Sequence, residues 1–195
     1  MVDGGSCDAT VATAMDLGFT VLETAGPGGR GAQLNLGAAQ AKADTLLFLH
    51  CDTRLPDNFH KALLSCLKDT DTILGAFSLG IDRGGWRLSL ITAVANIRSR
   101  LLRMPYGDQA LFIGRENFEK LGGFPEVPIM EDFMLVQKAR QQGKVRTLPQ
   151  KVQTSARRWQ QLGPFRTTCI NQLMLLGYFM GVTPEKLAAF YRKRK

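Results

Sequence analysis

Thr45-Leu46-Leu47-Phe48-Leu49 runs unbroken into His50-Cys51-Asp52, and no other segment constrains the fold as strongly. A short run rich in large apolar side chains and bounded by polar residues predicts a strand covered on both faces, as in a parallel α/β sheet. The carboxyl ends of such strands open onto the crevice where α/β sheets hold ligands. Asp52 is therefore expected to send a carboxylate into that crevice, with His50 two residues earlier on the same face. A carboxylate beside an imidazole suits a divalent cation, and a cation there suits a diphosphate. The same acid equally suits a cap on the segment that begins at Leu55-Pro56-Asp57.

Around this run, strands predicted over 19–23, 45–49, 72–79, 110–113 and 145–148 alternate with helices over 8–17, 32–43, 57–69, 87–103, 115–121 and 132–142. That alternation predicts a mostly parallel sheet flanked by helices, an α/β Rossmann-like architecture. Gly143 follows the sixth helix where a C-terminal glycine belongs. From Gly163 the pattern turns helical, broken at Gly181-Val182-Thr183-Pro184, where Thr183 is placed to cap a last helix starting at Pro184. The chain thus divides into an α/β domain over 1–162 and a C-terminal helical extension over 163–195 packed on it.

Four cysteines at irregular spacing, with no C-x-x-C pair, fit reduced thiols and a cytoplasmic location better than a disulfide framework or a zinc site. Twenty-five basic against seventeen acidic residues give a net charge of +8, a field that favours phosphorylated ligands, nucleic acid or an anionic membrane. The excess gathers in Arg157-Arg158, Arg166 and the tail Arg192-Lys193-Arg194-Lys195, not in a basic stripe interleaved with aromatics, which argues against nucleic acid. The tail reads either as a solvated terminus or as a peripheral contact with the inner membrane face. The longest late apolar stretch, Leu173 to Val182, is shorter than the ~20 residues a bilayer-spanning helix needs.

Three further clusters carry chemistry. Val2-Asp3-Gly4-Gly5-Ser6 reads as a strand end turning through glycines, where Asp3, Gly4 and Ser6 come close to a ligand or simply make a turn. Leu121-Gly122-Gly123-Phe124-Pro125-Glu126 is followed by Glu131-Asp132 at the head of a helix, either a catalytic pair or partners of the helix dipole. Ser155-Ala156-Arg157-Arg158-Trp159 offers two guanidinium groups to a diphosphate and an indole to a sugar or base, or is a solvated basic loop.

In their order along the chain, D-G-G-S, an apolar strand ending in x-x-D, L-G-G-F-x-E, and E-D opening a helix that leads to a strand ending L-P resemble the family-2 glycosyltransferases. Within that family the sequence is similar to a small bacterial subgroup associated with radical-SAM genes and arsenosugar biosynthesis. The runs that carry this are His50 to Pro56, Tyr106 to Gln109 and Thr154 to Trp159. The resemblance implies a GT-A type nucleotide-diphospho-sugar transferase fold and a metal-dependent, inverting transfer of sugar from a nucleotide-diphosphate donor to an acceptor hydroxyl of unknown identity.

Carried over by position, Asp3 contacts the nucleotide base, Asp52 holds Mn or Mg on the diphosphate with His50 beside it, and Asp132 is the general base with Glu131 as its neighbour. Gly122 and Gly123 let the backbone approach the donor sugar or the acceptor. Two departures stand out: His50 replaces the first acid of D-x-D, and Leu34 replaces an arginine before Asn35, leaving Arg30 to meet the nucleotide's phosphate. Relatives also carry a first strand and helix upstream, so the sheet is expected to lack its usual first strand, with a break beside the Asp3 strand and exposed edges that favour a homo-oligomer. The alternative function is a non-catalytic nucleotide-binding or interaction module that keeps the fold.

Overall fold

The computed structural model describes residues 1–24, 29–82 and 85–194, without the side chains of Arg158 and Pro164. Lys195 of the basic tail lies outside the described residues. Strand β5 (Thr72–Ile81) organises the molecule because it is buried on both faces. Leu74 and Ala76 point to one side, against Ala38 of α2 (Arg30–Gln40) and Leu135, Val136 and Ala139 of α6 (Glu131–Gln142). Phe77 points to the other, against Phe112, Val152 and Leu63 and Cys66 of α3 (Phe59–Leu67). This is the period-2 alternation of a central strand with helices on both sides.

The sheet around β5 runs β3 (Thr45–Leu47), β6 (Phe112–Gly114), β5, β7 (Lys144–Thr154), β4 (Thr53–Arg54). Strands β5 and β7 are parallel, whereas β3–β6, β6–β5 and β4–β7 are antiparallel. The α/β class holds, and the described ladders are more mixed than the alternation implies, because the short strands β6 and β4 run antiparallel to the neighbours they pair with. At the other end, β1 (Val2–Asp3) and β2 (Leu22–Glu23) form a separate parallel pair, so the described sheet is interrupted beside the Asp3 strand. Helix α1 (Thr10–Asp16) joins them.

The run over 45–49 is only partly enclosed. Its ladder ends at Leu47, and Leu49 is 42% exposed, because β3 is an edge strand. The strand expected to stop before Pro149 continues to Thr154: pairing jumps from Phe77–Leu148 to Ser78–Lys151, and the bulge absorbs the proline that a regular ladder rejects. The strand expected from Ala110 begins at Phe112, since Ala110 is left-handed (φ 50°). Gly143 does follow α6, yet with φ 169° its backbone is extended; a Cβ there would lie 2.8 Å from the Asp71 carbonyl oxygen, so close approach requires the glycine.

Helix α4 (Trp86–Leu101) is pinned to β5 by Asn96, whose amide pairs both ways with the Leu79 backbone. Helices α5 (Arg115–Lys120) and α7 (Arg157–Leu162) complete the α/β part. The C-terminal segment forms α8 (Pro164–Phe179) and α9 (Pro184–Arg192). Thr183 occupies the N-cap of α9 without a side-chain capping bond. Ile170, Met174 and Leu187 pack with Met104, Met130 and Phe133, so this segment shares a core with the head of α6.

Candidate functional site

Beyond the end of β3 the chain turns at His50-Cys51-Asp52, and β4 carries it back along β7. Thr53 pairs with Thr154 through backbone and hydroxyls (3.2 Å), and the Ser155 N–H donates to the Asp52 carbonyl oxygen (3.1 Å). The H-x-D turn and the segment leading to Trp159 are thereby locked together. A third piece is the short 3-10 turn Gly107–Gln109. Fully buried Gln109 fixes it, donating to the Phe77 carbonyl oxygen (2.8 Å) and the Ser99 hydroxyl (3.2 Å) while accepting from the Tyr106 N–H (3.2 Å).

With its base anchored, this turn meets the head of α6. The Gly107 N–H donates to Asp132 Oδ2 (2.7 Å), and the Phe133 N–H donates to Asp132 Oδ1 (2.8 Å). A Cβ on Gly107 would sit 2.9 Å from Asp132 Oδ2 and 3.3 Å from His50 Nε2, so only glycine lets the two side chains converge over the turn. Left-handed, non-glycine backbone flanks the junction at Ala110 and at Met130 (φ 70°), each costing about 1–2 kcal/mol. Such strain persists where surrounding packing over-determines it.

These elements enclose a cleft of about 540 Å³ lined by Arg30, His50, Asp52, Asp108, Glu131 and Asp132, with Tyr106, Thr154, Ser155 and Trp159 beside them. Asn171 and Leu175 of α8 and Tyr191 and Arg192 of α9 close the far wall. The helical extension therefore completes the site.

Four carboxyl groups in one cleft strain its electrostatics. Burial pushes the Asp108 carboxyl above its ordinary range, against the attraction of His50 and with the repulsion of Asp132 added. Burial likewise raises Glu131, and Asp132 raises it further, while Arg30 opposes. Glu131 is 2% exposed and forms an ion pair with the Arg30 guanidinium. Burial pushes the His50 imidazole down, the Arg30 cation pushes it further, and Asp108, Asp132 and Asp52 pull the other way. In its neutral form the imidazole has a lone pair to give.

The remaining predicted residues divide clearly. Asp52 is exposed at the cleft and does not cap α3, whose N-cap is Asn58. Asp3 is satisfied by its own turn, accepting from the N–H groups of Gly5 and Ser6 (2.8 Å each) and the Ser6 hydroxyl (2.6 Å), which hold its carboxyl below the usual range. Gly4 lies under Gln33, and among the described residues neither it, Asp3 nor Ser6 lines the cleft.

Asn35 brackets the Phe124 backbone, donating to its carbonyl and accepting from its N–H at 2.9 Å each, so it braces the L-G-G-F turn away from the cleft. Gly122 and Gly123 are left-handed (φ 74° and 67°), and their role in this geometry is to form that turn. Trp159 reaches the cleft with a 9%-exposed side chain packed on Leu88 and Ala156. Arg157 is exposed and does not line the cleft, and the Arg158 side chain lies outside the described residues.

Asp108, Tyr106 and Arg192 are site residues that sequence reasoning did not assign. Their only signal was Y-G-D-Q as a motif and a basic tail. The Tyr106 hydroxyl is buried without a hydrogen-bond partner among the described residues, in the wall of the cleft, and its ring lies under the Arg98 guanidinium (3.5 Å). A polar atom left in that state fits a ligand contact.

Among the described residues no three His, Cys, Asp or Glu side chains stand at metal-ligand spacing. The protein alone offers a cation Asp52 and His50. Mg usually sits on one or two protein groups and completes its shell with phosphate oxygens and water, so the donor set fits a cation that arrives with a diphosphate.

The family model for glycosyl transferase family 2 matches residues 1–121. No curated protein matches the chain. Among solved structures it is similar to TarS of S. aureus, with TM-score 0.63 and 15% identity over 79% of this chain and 30% of that one. It is similar also to the mannosyltransferase PcManGT of Pyrobaculum calidifontis in complex with GDP-Man and Mn2+, with TM-score 0.58 and 20% identity over 78% and 46%. A third is GalNAc-T7 with UDP, GalNAc and Mn2+, with TM-score 0.59 and 19% identity over 79% and 37%. This chain spans less than half the length of each, and the likeness shows a GT-A fold.

Proposed function

Since the chain belongs to glycosyl transferase family 2, we propose that it transfers a sugar from a nucleotide-diphosphate donor to an acceptor hydroxyl, with inversion, at the cleft around Asp132. One observation carries this reading. His50 to Pro56, Tyr106 to Gln109 and Thr154 to Trp159 are far apart in sequence, and the Ser155–Asp52 bond and the Gly107 contacts bring them to one place. Those are also the runs that resemble the subgroup linked to arsenosugar biosynthesis, and their meeting at the cleft supports that finer placement.

The roles follow from the geometry. Asp132, fixed by the Gly107 N–H and facing the cleft, is the base that takes the acceptor proton as the hydroxyl attacks the anomeric carbon. Glu131, spent on Arg30, holds that guanidinium at the cleft, where it retains a 48%-exposed side chain able to meet a phosphate. Asp52 and His50 would hold Mn or Mg, whose charge, when bound, offsets the charge gathering on the departing diphosphate. Structures similar in fold are complexed with UDP or GDP-Man and Mn2+, which supports a donor of this class.

Release of nucleoside diphosphate from a panel of UDP- and GDP-sugars, with and without Mn2+, tests the reading. Catalysed release in the presence of the cation is expected. Tight nucleoside diphosphate binding with no release from any donor would instead establish a binding module.

A further inference from the structure

Helices α4 and α8 are apolar on both sides, yet each has only one side in the core. On α4, Trp86, Leu90, Val94, Ile97 and Leu101 recur at intervals of three and four residues and are between 55% and 77% exposed. The opposite face is buried through Leu88 and Ser99. On α8, Phe165, Leu173, Leu176, Phe179 and Met180 are between 42% and 73% exposed, while Thr167, Ile170 and Met174 are buried. The two helices touch each other, so the stripes belong to one region of the surface. Exposed apolar stripes on adjoining helices mark a docking face.

Charge selects the occupant. From Trp86 to Gly107 there are four arginines and no acid, and from Ser155 to Thr183 there are three arginines and no acid. Around the α4 helix, Arg87 falls on a flank of the stripe at 100° per residue and lies 5.4 Å from the Trp86 ring, whereas Arg100 is turned inward to the Ser78 hydroxyl (2.9 Å). A second copy docked through the same face would set arginine against arginine with no carboxylate between them. An anionic lipid surface complements it, with apolar side chains in the acyl boundary and guanidinium groups at the headgroups. No described helix is long and apolar enough to cross a membrane, which leaves an in-plane mode for these helices.

We infer that the α4–α8 face docks the protein peripherally on an anionic lipid bilayer. The opposite side of α8 supplies Asn171, Met174 and Leu175 to the cleft, so α8 itself would stand between the cleft and the lipid surface. Arg192, the first residue of the basic tail, faces the cleft.

Co-sedimentation with phosphatidylcholine vesicles, with and without phosphatidylglycerol, tests this. The wild-type chain is expected to bind the anionic vesicles, more weakly in high salt. Leu90→Ser with Ile97→Ser, and separately Phe165→Ser with Leu176→Ser, should each lower the partition coefficient by roughly a hundredfold, about tenfold per buried side chain lost. Arg87→Gln should lower it about fivefold. All are exposed positions, and unchanged thermal melting confirms folding. Failure to bind either vesicle overturns the inference. So does binding that these substitutions leave intact but tail substitutions abolish, or a concentration-dependent dimer that they break without any vesicle binding. Nucleotide turnover is read separately, so neither result decides the other.

Discussion

Gly107→Ala tests the site at its tightest point. The added methyl would stand 2.9 Å from Asp132 Oδ2 and 3.3 Å from His50 Nε2, the first closer than real Cβ contacts come, so Asp132 must swing away. That breaks the Gly107 N–H to Asp132 bond of 2.7 Å. A hydrogen bond to a charged group is worth about 1.5–3 kcal/mol, and each 1.4 kcal/mol is tenfold, which sets the expected loss in transfer at roughly tenfold to a hundredfold. Asp132 faces the cleft and finds water instead, so stability should drop by only about 1 kcal/mol. Steady-state kcat, with nucleoside diphosphate affinity and thermal melting on the same samples, reads the effect. If Gly107 acts through Asp132, adding Gly107→Ala to Asp132→Asn costs little more than Asp132→Asn alone. Independent, additive losses, or a folded Gly107→Ala protein of wild-type rate, would mean that Gly107 does not act through Asp132.

Asp132→Asn keeps the shape and removes the base, so donor affinity should persist while transfer falls about 10²–10⁴-fold; calorimetry and turnover assays separate the two. Asp52→Asn should abolish Mn2+-dependent donor binding with no change in melting, because the residue is exposed at the cleft, whereas His50→Asp should retain cation binding, both read by titration with Mn2+. Asn35→Ala strands the Phe124 N–H and carbonyl and should cost about 1–3 kcal/mol in denaturant unfolding. Asp108, pushed upward by burial, binds more protons folded than unfolded once pH rises past about 4, so its ionisation costs stability above that point. Asp108→Asn should therefore melt higher than wild type at neutral pH, with the gap closing toward about pH 4 in scanning calorimetry.

Local features of the fold were legible because they are local. The run over 45–49 announces a strand by composition, and its polar end marks the cleft. Helix α6 announces itself through periodicity, and Pro184 marks the start of α9. What the sequence concealed depends on distant partners. Gln109 fixes its turn by reaching Phe77 and Ser99, so Asp108 became a site residue through contacts that no spacing reveals. Asn35 pairs with Phe124, 89 positions away, and supports the L-G-G-F turn through bonds that no spacing announces. Pro149 usually ends a strand, yet the parallel ladder with β5 is strong enough to carry β7 past it through a bulge. Asp3 accepts from Gly5 and Ser6, which is the turn that D-G-G-S also reads as.

Diffraction from crystals grown with a nucleoside diphosphate and Mn2+, recorded at the manganese absorption edge, shows where the cation and the diphosphate bind. An anomalous peak bonded to Asp52 and His50 is expected, with the diphosphate in the cleft between Arg30 and the Thr154–Ser155 backbone and Asp132 open toward the acceptor side. A nucleotide held elsewhere, or a cation bound away from Asp52 and His50, would contradict it.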